Sequence, residues 1–242
     1  QTWWEQSTAW HAYLTRCQFL LQQGRFVADI CYLEPEGMTR SEVPASLRPS
    51  NSMERPGYNF DLCPPDALIT RASAQNGRVV FPDGMSYQVL LLPDVETMTP
   101  ELLRKIKELA DGGATVLASS KPVKSPSLQN HPQCDEEVRQ LVDELWGGGK
   151  VIVVNSPAEY FTRLGVPPDF SSSDPANTRF IHRSLGNAEV YFVATKSQRT
   201  ETMVATFRMP GHRPELWHPE SGRIERPAVY DDTPAGVKVP LT

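Results

Sequence analysis

The sequence predicts an α/β fold, an open parallel sheet with helices between its strands, followed by an antiparallel β domain. Three observations carry that expectation. Residues 89–92 are continuously apolar and 114–118 nearly so, broken only by Thr115, the pattern of strands buried on both faces. Between them, Leu102, Leu103, Ile106, Leu109 and Ala110 share one helical face, with Arg104, Lys105, Lys107 and Glu108 opposite. Beyond Pro167 the helical spacing gives way to apolar–polar alternation.

Each element has its own local reason. Trp3-Trp4-Glu5 precede a helix whose apolar stripe is Trp10, Tyr13, Leu14, Cys17, Leu20 and Leu21, and Gly24 ends it. Residues 25–33 read as the first strand. Asp29 interrupts that run. A charge near the carboxyl end of a parallel strand can line a ligand crevice, or it can be pinned inward to loop amides. Residues 34–56 are polar and proline-rich and read as a long loop that covers or lines a site. Residues 58–69 read as a turn and a short helix, and 77–84 as a strand with a turn. Thr99, Pro100 and Glu101 are start signals for the central helix, and Gly112-Gly113 stop it. Val138, Leu141, Val142, Leu145 and Trp146 form the face of another helix, ended by Gly147-Gly148-Gly149. Residues 150–154 are a further strand. Ser156-Pro157 cap a last short helix with Tyr160, Phe161 and Leu164 inside. The parallel strands therefore fall at about 26–33, 87–92, 114–119 and 150–154.

Residues 168–175 have linker composition. Alternating segments follow at 180–183, 189–194, 202–207 and 215–217, with turn signals at Gly186-Asn187 and Ser221-Gly222. Pro240-Leu241-Thr242 offers no obvious closing strand, so this β domain is expected to be incomplete. The domains expected are 1–24, 25–166 and 167–242.

Composition excludes some classes. A net charge of -5 over 242 residues leaves no basic footprint for nucleic acid. No apolar run approaches the roughly 20 residues of a membrane span. The chain begins at Gln1 rather than methionine, which is expected of a processed product or a piece of something longer. Cys17, Cys31, Cys63 and Cys134 form no CxxC pair, which argues against zinc, and their sparse spacing argues against a disulfide framework.

Catalytic constellations are missing. There is no GxGxxG after the first strand and no GxxxxGK[ST], so no phosphate loop. A flavodoxin-like layer can carry a glutaminase cysteine on a nucleophile elbow, but no cysteine here has that setting, and no GxSxG is present. The histidines, His11, His131, His182, His212 and His218, lack HExxH spacing. His218 is placed on the surface of a hairpin. His182-Arg183 either reach a neighbouring site or hydrogen bond at a domain interface. Trp3-Trp4-Glu5 is the strongest polar–aromatic group. Indole faces stack on sugar rings and a carboxylate binds hydroxyls. The alternative is a hydrophobic plug where a helix enters a domain.

Several separate segments resemble, in the same order, the part that follows the catalytic barrel in bacterial α-L-rhamnosidases of glycoside hydrolase family 106. They are TWWEQSTAWHAYLTRCQFLLQQGRFVADICYLEPEG, YNFDLCPPDALITRAS, GRVVFPDGMSYQVLLLP, MTPELLRKIKELADGGATV, CDEEVRQLVDELWG, FIHRSLGNAEVYFVA and ELWHPESGRIE. The resemblance implies a secreted or periplasmic enzyme with a (β/α)₈ barrel that removes terminal α-L-rhamnose from plant or bacterial glycans, by inversion, with two glutamates and a calcium ion. By the same resemblance the glutamates lie upstream of Gln1, so no catalytic or metal-binding residue is assigned in this chain. It implies that residues 1–24 end the barrel and pack against it, that 25–166 form a flavodoxin-like or amidotransferase-like domain without its nucleophile, and that 167–242 begin a β-sandwich. Trp3, Trp4 and Glu5 are then the substrate-binding candidates at the barrel mouth. On an extended segment the two indoles would alternate, one toward sugar and one toward packing, with Glu5 on the side of Trp3. A stand-alone oligomerisation or carbohydrate-binding module is the competing expectation, and a degenerate amidotransferase-like enzyme the third.

Overall fold

A computed structural model describes residues 3–37, 57–197 and 202–241. From residue 38 to 56 the expected site-lining loop lies outside the described residues. The chain divides into two compact units, Ala28–Val166 and Gln1–Val27 with Pro167–Thr242.

The chain opens with a 3-10 turn, Trp4–Ser7, that runs into α1 (Thr8–Leu21) and then β1 (Arg25–Phe26). The single strand expected over 25–33 is two strands in different sheets. β1 pairs antiparallel with residues 183–184, and the Val27 amide continues that pairing to the His182 carbonyl at 2.9 Å. β2 (Ile30–Leu33) belongs to the parallel sheet. An apolar run states that its residues seek cover but not from which segment.

The Ala28–Val166 unit is built on five parallel strands. They are β2, β3 (Phe60–Cys63), β7 (Val89–Leu91), β8 (Thr115–Ala118) and β9 (Val151–Val153), in the order β3-β2-β7-β8-β9. β3 corrects the expectation of a turn there. It is four residues long, carries Asp61 and is only partly buried, so it lacks the apolar run that marks its neighbours. Between α2 (Pro65–Arg71) and β7, the strands β4 (Ser73–Gln75), β5 (Arg78–Val80) and β6 (Ser86–Tyr87) form a separate antiparallel sheet. Val89 and Leu90 point to opposite faces, as do Val116 and Leu117, yet all four are fully buried. Both faces of the sheet are therefore covered, as the continuous runs required.

On α3 (Pro100–Asp111), Leu102, Leu103, Ile106 and Leu109 are the buried residues. Its start is held twice. The Thr99 hydroxyl oxygen accepts from the Leu102 amide at 3.3 Å, and the Glu36 carboxylate accepts from the Thr99 amide and hydroxyl at 2.7 and 2.6 Å. α4 (Gln133–Val142) continues as a π-helical turn, Asp143–Gly147. α5 (Pro157–Arg163) is capped by the Ser156 hydroxyl, which accepts from the Glu159 amide at 3.3 Å. Phe161 on α5 is fully buried, but Leu164 is 58% exposed, because the helix ends before its next turn reaches the sheet.

Burial pushes the Tyr32 hydroxyl up to about 12. Burial, followed by Asp61, whose carboxylate accepts from the Tyr87 hydroxyl at 2.9 Å, raises Tyr87 further. A phenol whose folded value is raised contributes stability that is complete below the unfolded value near 10 and is lost as pH rises through the folded one. The contribution of these two tyrosines to this unit is therefore expected to be constant up to about pH 10 and to weaken above it. Urea unfolding across that range checks this, and Tyr87→Phe should flatten the loss.

The second unit holds the later strands: β10 (Phe170–Ser172), β11 (Thr178–Ser184), β12 (Glu189–Thr195), β13 (Met203–Phe207), β14 (Leu216–Trp217), β15 (Ile224–Glu225), β16 (Asp231–Thr233) and β17 (Gly236–Leu241). One sheet runs β1-β11-β12 and a second β10-β13-β17-β16, while β14 and β15 pair alone as a hairpin. Aromatic rings join the first two sheets. Phe170 lies 4.8 Å from Phe180, and Tyr191 lies 4.8 Å from Phe207. β17 corrects the expectation of no closing strand. It pairs with both β13 and β16, and Val237 and Val239 are buried. Its alternation spans only six residues and includes Pro240, which hid it. Gly24 links α1 to β1 at φ +60, where a Cβ would collide with the Ser184 carbonyl.

Candidate functional site

Trp3, Trp4 and Glu5 lie in and just before the 3-10 turn, so the premise of an extended segment is overturned. Helical geometry separates neighbouring side chains by about 100–120° around the axis rather than alternating them. The Ser7 hydroxyl donates to the Trp4 carbonyl, and the Gln6 amide donates to the Trp3 carbonyl at 3.1 Å. Both indoles are exposed, Trp3 by 59% and Trp4 by 63%. Trp4, Glu5, Thr8, His11 and Thr15 line an open groove of about 520 Å³, and Trp3 does not. The Trp4 and His11 rings are tilted at 5.2 Å. Sequence reading missed His11, although it lies seven residues from Trp4 and so on the same helical face.

The apolar stripe of α1 has no buried member. Tyr13, Leu14, Cys17, Leu20 and Leu21 are half-buried and Trp10 is 60% exposed. α1 thus presents both a polar groove and an apolar stripe to its surroundings.

Other candidates are structural. Asp29 precedes β2, which puts it at the amino end of its strand and not at the carboxyl end where a ligand crevice would form. It is buried and its carboxylate accepts from the Gln88 side-chain amide. His182 is buried in the β domain instead of facing an open site. Its Nδ1 lies 2.9 Å from an Asp169 oxygen and its Nε2 3.0 Å from Glu189, and its ring stacks on Tyr191 at 3.9 Å. The Tyr191 hydroxyl donates to Asp169 at 2.8 Å and the Ser184 hydroxyl to Glu189 at 2.9 Å. Two carboxylates so committed cannot act on a sugar from opposite sides. Arg183 donates to the carbonyls of Gln23 and Gly24. His218 sits on the β14–β15 hairpin, 3.0 Å from a Glu225 oxygen. The four cysteines are free thiols. Among the described residues no group of three or more His, Cys, Asp or Glu side chains could hold a metal ion. Among them also no helix is long and apolar enough to cross a membrane.

Comparison with known proteins gives this fold its relatives. The model of glycoside hydrolase family 106, described as alpha-L-rhamnosidase, matches residues 1–231. The chain belongs to glycoside hydrolase family 106. A Formosa agariphila protein named putative beta-glucuronidase is 37% identical over 233 residues, which is 96% of this family 106 chain and 19% of that protein. The solved rhamnosidase from Novosphingobium sp. PP1Y matches at a TM-score of 0.86 and 31% identity, over 99% of this chain and 24% of that one. Alpha-L-fucosidase isoenzyme 2 from Paenibacillus thiaminolyticus shares the fold at a TM-score of 0.56 and 12% identity, over 95% of this chain and 49% of that one. The family 106 chain therefore spans about a fifth of the curated relative and about a quarter of the solved rhamnosidase.

Proposed function

We propose that this family 106 chain is the accessory part of a larger glycoside hydrolase that removes terminal α-L-rhamnose from glycans, with its catalytic glutamates elsewhere in that enzyme. The observation that carries this is the match to a solved rhamnosidase over 99% of this chain but 24% of that enzyme. The buried commitment of Asp169 and Glu189 to His182 agrees with a non-catalytic role. In this reading residues 1–24 close a catalytic barrel, and the half-buried stripe of α1 packs against it. The layer over 28–166 is flavodoxin-like, supported by the strand order β3-β2-β7-β8-β9, which is 2-1-3-4-5 within the sheet. Residues 167–242 form a β-sandwich. A secreted or periplasmic enzyme with calcium in its barrel follows from the family resemblance. A β-glucuronidase is the second reading, favoured by the name of the 37% identical relative.

Trp4 and Glu5 are the residues proposed to face substrate, because they line the groove, with Trp3 beside them. The test uses the parent enzyme and the 242-residue chain with an aryl α-L-rhamnoside and an aryl β-glucuronide. The parent should cleave the rhamnoside, and the isolated chain neither substrate. In the parent, Trp4→Ala should lower kcat/KM about tenfold, the loss of one stacking contact, without changing the melting temperature. Turnover by the isolated chain that vanishes on mutating one of its own acidic residues would refute the accessory reading. Cleavage of the glucuronide alone would favour the second. A change in melting temperature alone would make the tryptophans a plug.

A further inference from the structure

We infer that the β14–β15 hairpin presents a second carbohydrate platform, in which Trp217 and Ile224 receive the apolar face of a 6-deoxyhexopyranoside and Glu215 and Arg226 bind its hydroxyls. This rests on the reading that the parent enzyme works on rhamnose-bearing glycans, but on different residues from the amino-terminal groove. Trp217 pairs with Ile224 across the hairpin, so both side chains rise from one face. They are 51% and 53% exposed. Strand alternation brings Glu215 and Arg226 to that same face, flanking the apolar pair. The Trp217 indole N–H donates to Glu215 Oε2 at 3.3 Å, which restrains the ring while about half of the residue stays exposed. Arg226 Nε and Nη2 approach the other Glu215 oxygen at 3.2 Å.

The opposite face and the turn hold the hairpin in shape. Glu225 binds His218 at 3.0 Å and Arg223 at 2.9 Å. Arg16 of α1 donates to the carbonyls of Pro219 and Glu220 at 2.8 and 3.0 Å. Its guanidinium lies over Gly222, which takes φ +76 in the turn. A platform held before binding loses little entropy when a ligand stacks on it.

The chemistry of the face selects the ligand. A pyranose ring offers an apolar C–H face to an indole and equatorial hydroxyls to a carboxylate and a guanidinium. Ile224, paired across from Trp217, adds a second apolar side chain to the face, suited to the methyl group that a 6-deoxy sugar carries where an ordinary hexose has a hydroxyl. Two apolar side chains framed by an ion pair fall far short of the roughly 1,200 Å² that a stable protein interface buries.

The experiment titrates the 242-residue chain with methyl α-L-rhamnopyranoside and follows the indole N–H resonances by NMR. The Trp217 resonance should shift saturably, and Trp217→Ala should weaken binding about tenfold. Methyl α-L-mannopyranoside, which differs only by the hydroxyl on C6, should bind several-fold more weakly. Ile224→Ser should remove that difference, and because the residue is exposed the fold should survive. An unmoved Trp217 resonance overturns the platform. If Trp3 or Trp4 then responds alone, the platform fails while the groove reading stands. Equal binding of the two glycosides overturns the 6-deoxy assignment.

Discussion

His182→Ala should lower the unfolding free energy of the β domain by about 1–3 kcal/mol, the usual cost of leaving a buried hydrogen-bonding group without its partner. His182 and Asp169 side chains are 3% and 2% exposed, so solvent cannot replace the lost partner. Both imidazole nitrogens face carboxylate oxygens, and alanine would leave Asp169 and Glu189 across a cavity with no donor between them. Asp169 would retain the Tyr191 hydroxyl and Arg208, whose guanidinium is 3.7 Å away. Tyr191 would also lose its stacking partner at 3.9 Å. His182→Gln should cost less, since one amide donor can still reach one carboxylate. Hydrogen exchange in urea, read on residues 178–195, measures the effect. A loss below about 1 kcal/mol for the alanine variant would mean that the network does not hold the two sheets together.

Phe161→Ala should cost the other unit about 3–5 kcal/mol, the transfer and cavity terms for a buried aromatic. Phe161 is fully buried among Ile30, Tyr32, Val89, Leu91 and Leu117, on one face of the parallel sheet. Its ring stacks on Tyr58 at 4.5 Å, and the Tyr58 hydroxyl donates to the Val166 carbonyl at 2.6 Å. The cavity would therefore loosen residues 58–60, which lead into edge strand β3. Exchange protection should fall first there and at β2. Leu164→Ala, three residues on but 58% exposed, should stay within about 0.5 kcal/mol. If the two variants lose similar stability, α5 does not anchor the sheet.

Much of the parallel layer was legible because its signals are local. Val89–Leu91 and Thr115–Ala118 needed no partner to announce burial on both faces, and the helix between them carries its own start and stop residues. β3 and β17 were not legible. One is a short, partly polar edge and the other a six-residue alternation with a proline, and neither pattern stands out from loop. Of the candidate site, the aromatic and acidic residue types were visible, but His11 joins Trp4 only through helical periodicity in a segment read as extended.

The amino-acid sequence by itself determined the α/β class, the helix boundaries at Thr99 and Ser156, the lack of nucleophile and phosphate-loop motifs, and the family. The first three depend on residue types at short, fixed spacings, and the family on several segments that resemble it in order. Tertiary structure alone decided that residues 25–33 split between two sheets, that Asp29 stands at the amino end of its strand, and that His182 lies between Asp169 and Glu189. Those outcomes depend on which distant segment covers a given face. An apolar or charged side chain states the environment it needs, and many partners along the chain can supply it; only the register of the assembled sheets selects one.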